Sequence, residues 1–191
     1  PCGLAVTHRA GFDKKAALAS LRRALSLYKG EAVELRIITI PPKITEKHFE
    51  GIDFKNPLSS FSTKYSEGMR NRSKNLKKIT EILTGHEIKP GGAFSYNEVV
   101  GDRTKEAGFF LAPEIVNGRM VAGYGGGACQ GSTTVFNTAL FAGMENFEWS
   151  PHSRQSHYAE PGRDAAVYFG QIDLKFRNPL RESVFIKATA D

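Results

Sequence analysis

Leu18, Leu21, Leu25 and Tyr28 recur at helical spacing between Asp13 and Gly30, a stripe that predicts a helix capped by Asp13 and stopped by Gly30. Val33, Leu35 and Ile37 then alternate with Glu34 and Arg36, the period-two pattern of a half-buried strand over 32–40, closed by Pro41 and Pro42. A helical turn from Thr45 follows, so the first 52 residues read as a small α+β module, and Gly51 to Pro57 as its connector. Leu58 to Thr63 reads as an extended strand. Residues 71–83 read as a helix turning Leu76, Ile79 and Leu83 inward, with Gly85 at its C-terminal end. Lys89-Pro90-Gly91-Gly92 is a turn, and Glu114 to Val121 a hairpin around Asn117-Gly118. After Cys129 comes an apolar helix whose Val135, Phe136, Ala139, Leu140 and Ala142 cover more than one face and therefore demand burial. The rest, 165–169, 172–176 and 184–188, is strand-rich. The expected fold is α+β, with a mixed or antiparallel sheet packed on a buried helix that begins at Cys129. A small N-terminal α+β lobe occupies 1–52 and the main domain 58–191.

Composition sharpens this picture only in places. A chain of 191 residues with 40% hydrophobic and 24% charged residues can bury a proper core. It has no apolar run approaching the roughly 18 residues of a membrane span, and it shows no signal peptide. The net charge of +6 suits an acidic partner: nucleic acid, anionic lipid or an anionic wall polymer. Lysines and arginines concentrate between Lys64 and Lys78 without aromatics at base-stacking spacing, which reads as a solvated helix face and argues against nucleic acid. The two cysteines, Cys2 and Cys129, permit one bridge at most and are read as unpaired.

The chemistry concentrates in GYGGGACQGSTT, Gly123 to Thr134. A thiol at a helix start lies beside unpaired backbone N–H groups and the positive end of the helix dipole, which favour thiolate and can hold an oxyanion. The alternative is a small buried hydrophobe, the fate of most free cysteines; the three glycines ahead of it remove the side chains that would bury it. A cysteine nucleophile needs a base and a group to orient that base. Downstream, His152 and His157 offer the base and Asp164 the carboxylate, in the order Cys, His, Asp used by thiol hydrolases. Arg154 and Arg163 are either surface charge or a clamp for a substrate carboxylate. The same residues could serve zinc, from Cys129, His152, His157 and Asp164, but no CxxC or HExxH is present. A phosphate-loop reading of Gly123 to Gly127 lacks the lysine and the Ser or Thr that follows it. No metal and no cofactor are therefore expected.

The tract Pro90 to Thr104, then Gly125-Gly-Gly-Ala-Cys129-Gln130-Gly-Ser132-Thr133-Thr134, then His152-Ser153-Arg154, Tyr158, Pro161 to Ala165 and Asp173 to Asn178, resembles the VanW domain, a family named from a vancomycin-resistance gene cluster of the B type. The resemblance spans roughly 58–188. Residues 11–50 resemble, more loosely, the peptidoglycan-binding module that often precedes that domain. The resemblance implies an exported, envelope-associated protein whose partner is peptidoglycan or a wall-derived peptide; composition adds that neither nucleic acid nor a transmembrane segment in this chain is expected. It also favours His152 over His157 as the base. The leading expectation is a cysteine hydrolase or peptidyl/acyl transferase acting on a peptide or amide bond. In it Cys129 attacks, His152 shuttles the proton and Asp164 orients the imidazole. Gly126, Gly127, Gln130, Arg154, Arg163 and Tyr158 bind substrate or oxyanion, while Ser95, Asn97, Arg103 and Thr133 support the loop. The competing expectation is a non-catalytic module that binds peptidoglycan stem-peptide carboxylates.

Overall fold

The computed structural model describes residues 9–12, 14–27, 37–40 and 55–191 apart from 117 and 118. The chain divides into two compact units, Pro1–Asn56 and Pro57–Asp191. In the first, strand β1 (Arg9–Phe12) pairs antiparallel with β2 (Ile37–Ile40), and helix α1 (Lys14–Leu27) lies between them in sequence. Leu18, Leu21 and Leu25 of α1 are exposed. The expected cap at Asp13, Tyr28, the stop at Gly30, the strand positions 32–36, the turn at Thr45 and Cys2 lie outside the described residues.

The second unit is organised around two helices. Helix α2 (Arg70–Leu83) buries Leu76, Ile79 and Leu83, the stripe its spacing predicts, and Gly85 beyond its end adopts φ 86°, where an L side chain is strained. Short strands follow: β3 (Glu87–Ile88), β4 (Ala93–Ser95), helix α3 (Tyr96–Val100), then the hairpin β5 (Leu111–Val116) and β6 (Arg119–Tyr124), whose expected Asn117-Gly118 turn is outside the described residues. Helix α4 (Ala128–Phe141), β7 (Glu145–Glu148), β8 (Lys175–Arg177) and β9 (Val184–Phe185) complete it. All pairing is antiparallel: β3 with β9, β5 with β6, and β4–β8–β7 as the three-stranded sheet. The fold is α+β. Small sheets of two and three strands stand where a single sheet is expected.

Helix α4 starts one residue before the expected Cys129, with Gly127 as its N-cap at φ 113°. Phe136 and Ala139 are buried, but Leu140 and Phe141 reach solvent at its C-terminal end, so only the first three turns are enclosed. The segment 58–63 is not a strand. It lies along α4 and bonds to the helix: the Ser59 hydroxyl donates to the Thr138 carbonyl at 2.7 Å, and the Thr63 and Thr134 hydroxyls meet at 2.8 Å. Ser59, Phe61 and Thr63 are half-buried and the residues between them exposed, so the extended segment turns one side to a helix instead of pairing in a sheet.

Where α4 meets the core, Gly131 faces Tyr96, whose fully buried hydroxyl donates to the Ala128 carbonyl at 3.0 Å. A Cβ on residue 131 would meet that hydroxyl oxygen at 2.6 Å, while the next ring atom stands off at 3.7 Å. Gly131→Ala adds helix propensity worth about 1 kcal/mol but overpacks a rigid site at a cost of about 1–3 kcal/mol. We expect a lower melting temperature for Gly131→Ala. Adding Tyr96→Phe should recover part of the loss in a double-mutant cycle measured by urea denaturation. Additive effects would show that the contact does not control the helix position.

Candidate functional site

The segment that carries the site carboxylate has almost no regular structure; helix α4 holds it in place. Ser132, Thr133 and Asn137 sit on one face of α4 and are fully buried. The Ser132 hydroxyl donates to the Ala165 carbonyl at 2.6 Å, and the Thr133 hydroxyl accepts from the Ala165 N–H at 2.9 Å. The Asn137 amide donates to the Arg163 carbonyl at 2.7 Å. From the other side, the Trp149 indole N–H donates to the Asp164 carbonyl at 2.6 Å, and the Ala166 N–H to the Ser150 carbonyl at 2.8 Å. These bonds satisfy backbone groups that no strand pairs, and they fix residue 164 against the loop that carries His152.

Asp164 then uses one oxygen twice. It accepts the His152 backbone N–H at 2.8 Å and contacts the ring Nδ1 at 2.5 Å, with both side chains almost fully enclosed. The other ring nitrogen, Nε2, lies 3.4 Å from the Tyr158 hydroxyl. Burial works against the imidazolium, but contacts with Cys129 and Asp164 outweigh it, so the His152 pKa stands above the usual 6.5. Burial, with Cys129 nearby, pushes the Tyr158 phenol well above its ordinary value and keeps it neutral.

Cys129 is a free, half-buried thiol at the second residue of α4. Its sulfur donates to the Val167 carbonyl at 3.5 Å, and it lies close enough to His152 to raise that group's pKa. The amides around it are unequally used. Ala128 N–H bonds to the Gly125 carbonyl, and Gln130 and Gly131 N–H both bond to the Gly127 carbonyl. Among the described residues, the Cys129 N–H is left without a backbone partner, so it is the donor available to an oxyanion.

Gln130 does not fit the expected oxyanion role. Its side-chain amide donates to the Thr63 hydroxyl and the Lys64 carbonyl, both at 3.0 Å, and its oxygen accepts from Arg72 at 2.7 Å. It ties the segment before α2 to the start of α4. Cys129, His152, Gly126, Gly127, Gln130, Arg154, His157 and Tyr158 all line one cavity of about 840 Å³. Arg163 does not line it. Residues 163 and 164 point opposite ways, and the Arg163 guanidinium donates to Asn137 at 2.7 Å and lies over the Phe141 ring at 4.7 Å.

The glycines of the loop are needed for close approach. A Cβ at Gly126 would lie 2.7 Å from the carbonyl oxygens of Ala112 and Pro113, and one at Gly125 would strike Arg103. Arg103, a cavity residue, is held by Asn97 at 2.7 Å. Asn97 and Ser95 are in turn held by the buried Asp173, which accepts the Ser95 hydroxyl at 2.5 Å and the Asn97 N–H at 2.9 Å. Ser95 also caps α3 through the Glu98 N–H.

The sequence reading passed over four residues here. Asp173 anchors the Ser95–Asn97 turn. Glu114 lines the cavity, and burial raises its pKa against the opposing pull of Arg103. Ser156 also lines it, with a buried hydroxyl lacking any partner among the described residues. Arg72 belongs to the basic run that reads as a solvated face, yet it lies on the same stripe as Leu76, Ile79 and Leu83, a spacing that marks the inward face. Among the described residues no three His, Cys, Asp or Glu side chains cluster as a metal set, and no helix is long and apolar enough to cross a membrane.

The chain belongs to the VanW family: the model of that family, described as VanW like protein, matches residues 71–191. It is 34% identical over 156 residues to YoaR of Bacillus subtilis (strain 168), covering 82% of this chain and 51% of that protein. It is also 33% identical over 129 residues to the vancomycin B-type resistance protein VanW of Enterococcus faecalis (strain ATCC 700802 / V583), covering 64% of this chain and 46% of that protein. The chain thus spans about half the length of the curated relatives it matches. No solved structure matches it.

The geometry around His152 has a measurable consequence. Its folded pKa is raised, so the stability it contributes is fully present below pH 6.5 and is lost as pH rises through the folded value. We expect the His152 ring proton, followed by NMR, to titrate above a free imidazole in the native chain and to move down in Asp164→Asn. An unchanged midpoint in that variant would show that the carboxylate does not tune the ring.

Proposed function

We propose that the protein is an envelope-associated cysteine hydrolase or peptidyl/acyl transferase acting on a peptide or amide bond of peptidoglycan. The observation that carries this reading is the placement of the Cys129 thiol, with a free backbone N–H of its own, beside an imidazole whose far nitrogen is held by Asp164. The envelope location and the wall substrate are supported by kinship to a vancomycin B-type resistance protein. The resemblance of residues 11–50 to a wall-binding module supports the same assignment, with that region tethering the chain to its polymer.

In the reaction, Cys129 passes its proton to His152 Nε2 and its sulfur attacks the amide carbonyl carbon. The developing oxyanion takes the Cys129 N–H. As the C–N bond breaks, the imidazolium returns the proton to the leaving amine. The thioester is then opened by water, giving an acid, or by a second amine, giving a new amide. Tyr158, neutral and 3.4 Å from Nε2, steadies the ring while Asp164 holds the tautomer. Arg154 at the cavity wall and the room beside Gly126 and Gly127 accommodate substrate.

Purified peptidoglycan incubated with the chain should yield changed muropeptides by mass spectrometry, and a thioester adduct should map to Cys129. Cys129→Ala should lose activity by on the order of 10³-fold or more while remaining folded. His152→Ala should lose about 10²–10⁴-fold. Unaltered muropeptides and no adduct, with the chain still sedimenting with the wall, would transfer the assignment to the peptidoglycan-binding reading.

A further inference from the structure

We infer that Arg72 is the anchor for a substrate carboxylate, so that the bond attacked by Cys129 is the amide next to a free C-terminus. The inference rests on the nucleophile reading above and specifies its substrate: an acyl donor peptide ending in an unblocked carboxylate, cleaved or transferred at its last residue.

Arg72 is built into the site rather than lying on the surface. Its stem passes over the N-cap of α4, close enough that a Cβ on Gly127 would stand 3.4 Å from its Cγ. Its Nη1 donates to Gln130 at 2.7 Å, and Gln130 is itself locked by Thr63 and Lys64. The guanidinium is therefore held in one place before any ligand arrives. Among the described residues only one of its five N–H donors is used. Among the described residues no carboxylate lies within ion-pair distance of it, although Asp102 and Glu114 line the same cavity.

A guanidinium partly withdrawn from water without a counter-ion is costly, and an incoming planar carboxylate offsets that cost through a bidentate pair. The unpartnered Ser156 hydroxyl, in a residue only 4% exposed and lining the same cavity, is a second polar group that the protein itself leaves unsatisfied. Burial lowers the Arg72 pKa, so the bare guanidinium is held under a desolvation penalty inside the cavity that Cys129 also lines. Arg72 bonds to Gln130 and packs on Gly127, the residues that bracket Cys129 in the chain, so a carboxylate seated there sits at the start of α4 and puts the last amide of the peptide at the thiol. The leaving group is then an amino acid: the C–S bond forms, the C–N bond breaks, and the His152 proton goes to its amine while its carboxylate stays on Arg72.

Two small alkylating reagents test this without knowledge of the natural substrate. Iodoacetate carries a carboxylate and iodoacetamide is its neutral isostere; label at Cys129 is quantified by peptide mass mapping, with glutathione as reference thiol. The ratio of iodoacetate to iodoacetamide rates at Cys129 should exceed that of glutathione by roughly tenfold, and the excess should shrink at high salt. Arg72→Gln should bring the ratio down to the glutathione value, and Arg72→Lys should retain part of it. On the unmutated chain, an alanine tripeptide with a free carboxylate should protect Cys129 from iodoacetamide better than the same peptide amidated, and better than inorganic phosphate. A wild-type ratio equal to that of glutathione, a ratio unchanged in Arg72→Gln, or equal protection by the two peptides (none from either included) overturns the inference while leaving the nucleophile reading intact. If neither reagent alkylates Cys129, the nucleophile reading fails and this inference fails with it.

Discussion

The hydrogen bonds from Ser132, Thr133 and Asn137 to the backbone of residues 163–165 are the constraint on which the rest of the second unit depends. A buried helix face normally excludes such polar side chains, because each costs free energy unless it is paired. Here they are the partners of a segment that has no strand to pair with, so helix and segment satisfy each other. The result is a rack. It seats Asp164 under His152 and brings Val167 to the Cys129 sulfur, so a thiol on a helix and an imidazole on a loop share one cavity.

A second layer of order surrounds the first. The tie between Arg72 and Gln130, and the chain from Asp173 through Asn97 to Arg103, each fix a cavity-lining arginine using charge and amide groups. Such networks are costly when incomplete and rigid when complete. Nearly every member is satisfied. Among the described residues the Ser156 hydroxyl has no partner, the Cys129 N–H has no backbone partner and Arg72 keeps unused donors, and all three residues line the cavity. The concentration of unmet hydrogen-bonding capacity in one place is what distinguishes this cavity from a packing defect.

The glycines contribute by what they leave out. Between β6 and α4 the backbone passes against the carbonyls of β5 and the stem of Arg103, distances at which no side chain fits, and Gly131 gives Tyr96 its place against α4. Close approach of this kind keeps the thiol at the start of its helix and within reach of the imidazole. It also explains why a short two-stranded hairpin can serve as a wall of the cavity: the loop locks onto it through backbone contact and needs no apolar interface.

Local periodicity determined much by itself. The inward stripe of α2, the hairpin, the apolar helix after the glycines and the order Cys129, His152, Asp164 are all legible in the chain, since each depends on side chains a few residues apart. The tertiary structure decided the rest. Residues 58–63 read as an extended strand yet lie along a helix, because extended backbone can be satisfied by side-chain bonds to α4 as well as by a neighbouring strand. Arg163 and Asp164 are adjacent in sequence, yet one stacks on Phe141 and the other serves His152. Gln130 passed from a proposed oxyanion donor to a structural tie, and Arg72 from surface charge to cavity wall, because partners 58 residues apart met there. Spacing along a chain fixes which face a residue occupies; only packing fixes what that face meets.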